Sequence, residues 1–176
     1  MYTALARVVL DEADRERVAQ EVRRLRQRHP EASRDELAGR LIRRAALRCA
    51  AASGILTGPA AFFGAMPFGA DLAYQAVALN RLVLSLAALY GRAPSGRDRA
   101  AGIGAGAGAG VASEVLRQGI VHLLRRAFPR RPGLRTVTGA LVGGALGYGA
   151  ATAIGRFAQD VFRGRHRIRL PLRLSR

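Results

Sequence analysis

The hydrophobic pattern along this chain is helical from end to end. In residues 11–28, Val18, Val22 and Leu25 recur at i, i+4 and i+7, which makes one apolar edge on an otherwise charged helix. Acids gather at its beginning and arginines at its end, as the helix macrodipole favours, and His29-Pro30 stops it. Ser33-Arg34-Asp35-Glu36 then spells a capping box. The helix that it opens has Leu37, Leu41, Ile42 and Ala45 on one side, with Arg40, Arg43, Arg44 and Arg48 on or near the other.

After Arg48 charge disappears for 22 residues, 49–70, a length that could cross a bilayer. Gly54, Gly58, Pro59, Gly64, Pro67 and Gly69 divide this stretch, so the expectation is a broken segment that turns at Gly58-Pro59 and again at Pro67-Phe68-Gly69. Such a segment suits a hairpin wedged into one leaflet or buried in protein, because irregular backbone exposed to lipid is very costly. Residues 71–90 form the next predicted helix, opened by Asp71 and closed by Gly91. It is apolar almost all round, but Asp71, Tyr74, Gln75, Arg81 and Ser85 fall within one sector of about 120°. That polar stripe either satisfies buried partners on neighbouring helices or lines a polar cleft.

Residues 92–99 read as a linker around Pro94, Ser95 and Gly96. Glycines at 102, 104, 106, 108 and 110 follow. A phosphate-binding loop is excluded because no Gly-Lys-Ser or Gly-Lys-Thr follows, and the dinucleotide fingerprint fails because Ala107 stands where its third glycine should be. Spacing by four is the better reading, since rows of small residues let helices approach closely. Val115, Leu116, Ile120, Leu123 and Leu124 continue as an amphipathic stretch on which His122 stands alone, a structural histidine rather than a ligand.

A basic turn at 128–135 leads into 20 uncharged residues, 136–155, in which Gly139, Gly143, Gly147, Ala151 and Gly155 recur every fourth position. Between flanking Arg135 and Arg156, this ridge fits either a membrane helix that packs on another or a tightly packed helix of a soluble bundle. Residues 157–162 finish the helix. In the basic tail, Arg163, Arg165, Arg167, Arg169 and Arg173 either are solvated or anchor the chain to an anionic surface.

Composition narrows this picture. The 176 residues fit one domain, and 49% hydrophobic residues with only 6% aromatics require a core of Ala, Leu, Val and Gly. The net charge of +17 comes entirely from arginine, for the chain has no lysine. Up to Arg48, 12 arginines face 8 acids; from Cys49 onward 17 face 4, so the excess sits beside the apolar segments, where it can meet anionic lipid or nucleic acid. The single cysteine, Cys49, excludes an intrachain disulfide and reads as a small buried hydrophobe. The N-terminal residues carry no secretory signal pattern, so the expectation is a chain that stays on the cytoplasmic side. Three histidines, one cysteine and an isolated Asp71 make no nucleophile–base pair and no metal set, so no catalytic, cofactor or metal residue is assigned.

Three runs together resemble the EcsC family of bacterial proteins: ASRDELAGRLIRRAALRCAAASGILTGP, PFGADLAYQAVALNRLVLSLAALYG and TGALVGGALGYGAATAIGRFAQDVF. The resemblance covers most of residues 32–162. It departs from the family pattern at Val137-Thr138, where a proline is expected before the last glycine-rich helix. It implies a helical protein linked with bacterial membranes and with transport or secretion, and it supplies no catalytic residues. The expected fold is therefore an all-α, single-domain bundle of Gly-rich, close-packed apolar helices. Residues 1–30 are its charged N-terminal segment, 31–162 the EcsC-like domain and 163–176 the basic tail. The expected function is that of a non-enzymatic accessory protein on the cytoplasmic membrane face, whose partner is anionic lipid or a membrane protein. Self-association belongs to the same reading. The alternative is a soluble basic bundle that binds nucleic acid or another anionic partner, although no aromatics are interleaved with its arginines to stack bases.

Overall fold

The computed structural model describes residues 12–63, 68–92 and 131–164, with isolated positions between 116 and 127. The described residues are all-α, with four helices and no strand. They are α1 (Glu12–Arg28), α2 (Arg34–Phe63), α3 (Phe68–Tyr90) and α4 (Pro132–Phe162).

The helix ends follow local chemistry. The Ser33 amide donates to Glu36 Oε2 at 2.7 Å and the Glu36 amide to Ser33 Oγ at 3.2 Å, which completes the capping box of α2. At the other end of the bundle's sequence, α3 closes on Gly91, whose φ of 71° lies in the left-handed region. There the Arg92 amide donates to the Ala87 carbonyl at 3.0 Å and the Gly91 amide to Ala88 at 3.2 Å, the paired bonds of a Schellman cap. Pro132 opens α4, where its missing N–H costs nothing and its fixed φ suits the first turn. The last glycine-rich helix thus gets its initiating proline five residues before Val137, and residues 132–135, expected as turn, are its first turn.

Two other boundaries correct the sequence expectation. α2 does not turn at Gly58-Pro59; it runs on to Phe63 as one helix of 30 residues, about 45 Å long. Pro59 withdraws its amide from the ladder and crowds the carbonyl four residues back, yet the helix continues through it, and Gly54 serves close approach to another helix instead of a break. α3 begins at Phe68, so Asp71 stands at its fourth position and does not open it. The second expected break, at residues 64–67, lies outside the described residues.

The contacts set the topology. Ser53 meets Gln75 and Asp35 meets Tyr90, so α3 runs antiparallel to α2. Gly54 lies against Ala140 while Asp35 pairs with Arg163, so α4 is also antiparallel to α2 and parallel to α3. α1 packs mainly on α3, and the Arg26 guanidinium donates to the Leu89 carbonyl. Its Val22 joins Leu37, Leu41, Leu82, Leu86, Leu89, Ile154 and Phe162 in one buried cluster. Burial of this apolar surface is the main stabilising contribution.

Candidate functional site

The most extensive helix contact is between α2 and α4, and it is made of small residues. Gly139, Gly143, Gly147, Ala151 and Gly155 are all buried. A Cβ added at Gly147 would lie 2.8 Å from both the Cys49 carbonyl oxygen and Ser53 Oγ, and one at Gly54 would lie 3.0 Å from the Ala140 carbonyl oxygen. At Gly144 the Ala50 carbonyl would be 3.3 Å away. Backbone therefore meets backbone along this seam, which only glycine allows. Cys49 is buried within it.

The opposite faces of the same two helices are apolar and exposed. On α4, Leu134, Val137, Leu141 and Tyr148 stand outward, with Leu141 70% exposed; on α2, Leu47 and Ile55 do so, with Ile55 at 72%. Thr136–Phe162 is long and apolar enough to cross a membrane, and only 28% of its most apolar stretch is buried. The antiparallel register puts Tyr148 beside Cys49 and Ala140 beside Gly54, so both exposed strips occupy the same end of the bundle. The 20 residues between Arg135 and Arg156 span about 30 Å, close to the thickness of a bilayer's hydrocarbon core.

The other end of the bundle is polar. Asp35 Oδ1 accepts from Tyr90 Oη at 2.6 Å, from Arg163 Nε at 2.7 Å and from Arg163 Nη2 at 2.5 Å. Gln159 Nε2 donates to Tyr90 Oη at 3.3 Å. The Tyr90 hydroxyl and the Arg163 guanidinium hold the Asp35 carboxyl below its ordinary range, and Asp35 and Tyr90 in turn raise Arg163. This cluster ties the start of α2 to the ends of α3 and α4. It includes Arg163, expected as part of the basic tail, whose side chain is only 23% exposed and pairs with Asp35. Arg165, Arg167, Arg169 and Arg173 lie outside the described residues.

The polar stripe of α3 separates into two roles. Gln75, 8% exposed, donates to Ser53 Oγ at 3.0 Å and so links α3 to α2, while the Ser85 hydroxyl donates to its own helix at the Arg81 carbonyl, 2.7 Å away. Tyr74 and Arg81 are exposed. The Asp71 side chain lies outside the described residues.

Tyr74, Arg81 and Ser85 also line a groove of about 140 Å³, together with Arg44 and Arg48 of α2 and Glu21 of α1. A second groove of about 370 Å³ adjoins it and shares Glu21, Leu41 and Arg44; Arg17, Arg24 and Arg28 of α1 form its outer wall. Arg44 Nη1 donates to Glu21 Oε1 at 2.9 Å, a pair exposed on both sides and of modest worth. Sequence reading missed this surface, although the i, i+4, i+7, i+11 spacing of Arg17, Glu21, Arg24 and Arg28 placed one wall on a single helix face.

Among the described residues, no group of three or more His, Cys, Asp and Glu is placed to hold a metal ion. Comparison of the chain with family models, with curated proteins and with solved structures returned no match.

Proposed function

We propose that this chain is a non-enzymatic, membrane-associated accessory protein whose apolar end enters lipid on the cytoplasmic face, with the role in transport or secretion that the EcsC resemblance implies. The observation that carries this reading is the arrangement of α4, with small residues packed inward and large apolar ones turned outward. In water the large side chains belong inside, because burial of apolar area is what stabilises the fold. In lipid the preference between helices shifts to close packing of small residues, and outward leucines meet acyl chains. Tyr148 and Tyr74 lie near the level where the exposed apolar surface gives way to arginine, the position that amphipathic rings favour at a membrane interface.

Flotation of the purified protein with neutral and with anionic liposomes, followed by a high-salt wash, tests the proposal. Salt-resistant flotation on both lipid types is the expected result, since apolar insertion is not screened by salt. Binding to anionic liposomes alone, lost in salt, or no flotation at all, overturns it.

A further inference from the structure

Six arginines line the two adjoining grooves between α1, α2 and α3, and Arg44 lines both. Arg17, Arg24 and Arg28 come from α1, Arg44 and Arg48 from α2, and Arg81 from α3. Among the described residues lining either groove the only carboxylate is Glu21, and Arg44 already engages it. Arg17, Arg24, Arg28 and Arg48 form no ion pair with a described residue. Beneath them the floor is apolar, built from Leu25, Leu41, Ala45 and Leu82. The larger groove, about 370 Å³, falls within the range of small-ligand sites, about 300–1,000 Å³.

Cations concentrated over a low-dielectric floor repel one another, and a multivalent anion relieves that repulsion. Guanidinium groups are suited to phosphate in particular, because their planar fork offers paired donors to two oxygens of one group. The site also has a direction. On α2, Arg44 and Arg48 are followed on the same helix face by Ala51 and Ile55, both exposed, at i+3 and i+7 from Arg48. The arginine surface therefore runs into apolar surface about 10 Å further along the helix. A ligand with a phosphate at one end and an acyl chain at the other matches that sequence of chemistries.

We propose that the arginine groove is a phosphate-binding site whose ligand is a phosphate-bearing headgroup, either of a lipid or of a soluble phosphate ester. Guanidinium forks from α1 and α2 clasp the phosphate oxygens, and Tyr74 flanks the groove at its α3 side. The lipid source rests on the membrane reading above, whereas the soluble source does not.

The test compares two triple variants of the full chain. One is Arg24→Ala, Arg28→Ala and Arg48→Ala, within the grooves; the other is Arg23→Ala, Arg34→Ala and Arg43→Ala, exposed arginines that line neither groove. Both lose the same charge, and a thermal melt of each checks that it remains folded. Binding is measured with phosphatidylcholine vesicles containing phosphatidic acid, with vesicles of equal negative charge from a fatty acid, and by calorimetric titration with inorganic pyrophosphate, all at physiological ionic strength. The expected result is a loss of roughly tenfold or more in phosphatidic acid vesicle or pyrophosphate binding for the groove variant, against less than about threefold for the other. Groove-dependent binding of pyrophosphate supports a soluble source, and groove-dependent binding of phosphatidic acid vesicles alone supports a lipid source. Equal losses in the two variants, equal groove-dependent binding of the fatty-acid vesicles, or no groove-dependent binding of either phosphate probe overturns the proposal. Salt-resistant flotation of the unaltered chain on neutral vesicles is scored separately, so the membrane reading and the groove can fail independently.

Discussion

The two ends of the bundle are packed by opposite rules. Where α2 begins and α3 and α4 end, leucines are inside: Leu37, Leu41, Leu82, Leu86 and Leu89 bury with Ile154 and Phe162, while Arg40, Arg43, Arg44 and Arg156 are exposed, with Phe157 the one large apolar residue exposed among the described residues there. Where α2 ends and α4 begins, glycines and alanines form the seam, and Leu47, Ile55, Val137 and Leu141 are outside. The first arrangement is stable in water by apolar burial alone. Among the described residues, the second removes little large apolar surface from water and relies on close backbone contact, an arrangement suited to an outer face covered by something other than water. Under the proposed membrane association, one pair of helices serves two environments, with the change near Arg48 on α2 and Tyr148 on α4.

The contrast can be broken most severely at the leucine end. Leu86→Ala empties a fully buried site, and such truncations cost about 2–5 kcal/mol; chemical denaturation with and without detergent should show this loss in both media. At the glycine end the sensitive change is the reverse one. Gly147→Leu forces side-chain atoms into the Cys49 carbonyl, and the expected cost is about 1–3 kcal/mol, since a helix backbone yields less readily than a side chain. Thermal stability unchanged by this substitution would mean that the α2–α4 seam is looser than the backbone contacts require.

A smaller effect belongs to the polar end. Asp35→Asn should lower stability at neutral pH and flatten its dependence on pH. Because the folded-state value of Asp35 is lowered, its contribution is present above the unfolded value of about 3.9 and is lost as pH falls through the folded one. Melts at successively lower pH should therefore bring the variant and the parent closer together as the folded-state carboxyl protonates. The smallest effect on folding is expected at Leu141→Ser, within about 0.5 kcal/mol, because the side chain is exposed. The same substitution should reduce salt-resistant flotation on neutral liposomes. A large folding cost with unchanged flotation would reverse the comparison, making that face a covered protein contact.

Much of the local architecture was legible from residue order. The capping box at Ser33 and Glu36, the stop at Gly91 and the thin apolar edge of α1 each depend on groups a few residues apart, where helix geometry dictates the partner. Gly54, Gly58 and Pro59 misled for a related reason. Their local preference is to break a helix by roughly 1 kcal/mol per glycine and more for proline, but glycine is also the residue that lets two helices touch. Composition cannot separate those uses.

Residue order alone was enough for the all-helical character, the small-residue period of α4 and the concentration of arginine beside apolar segments, because each is a property of one helix read at its own repeat, whereas the ends of α2, α3 and α4 were not all legible. Tertiary structure alone decided the rest. Asp35 meets Arg163 across 128 positions, and Arg28, Arg48 and Arg81 reach neighbouring grooves from three helices. Which face of α4 is covered also depends on the partner that packs there, since the period every fourth residue defines a ridge but not what it touches. Pairwise contacts across such separations depend on how whole helices dock, and that is set by the summed packing of all their faces.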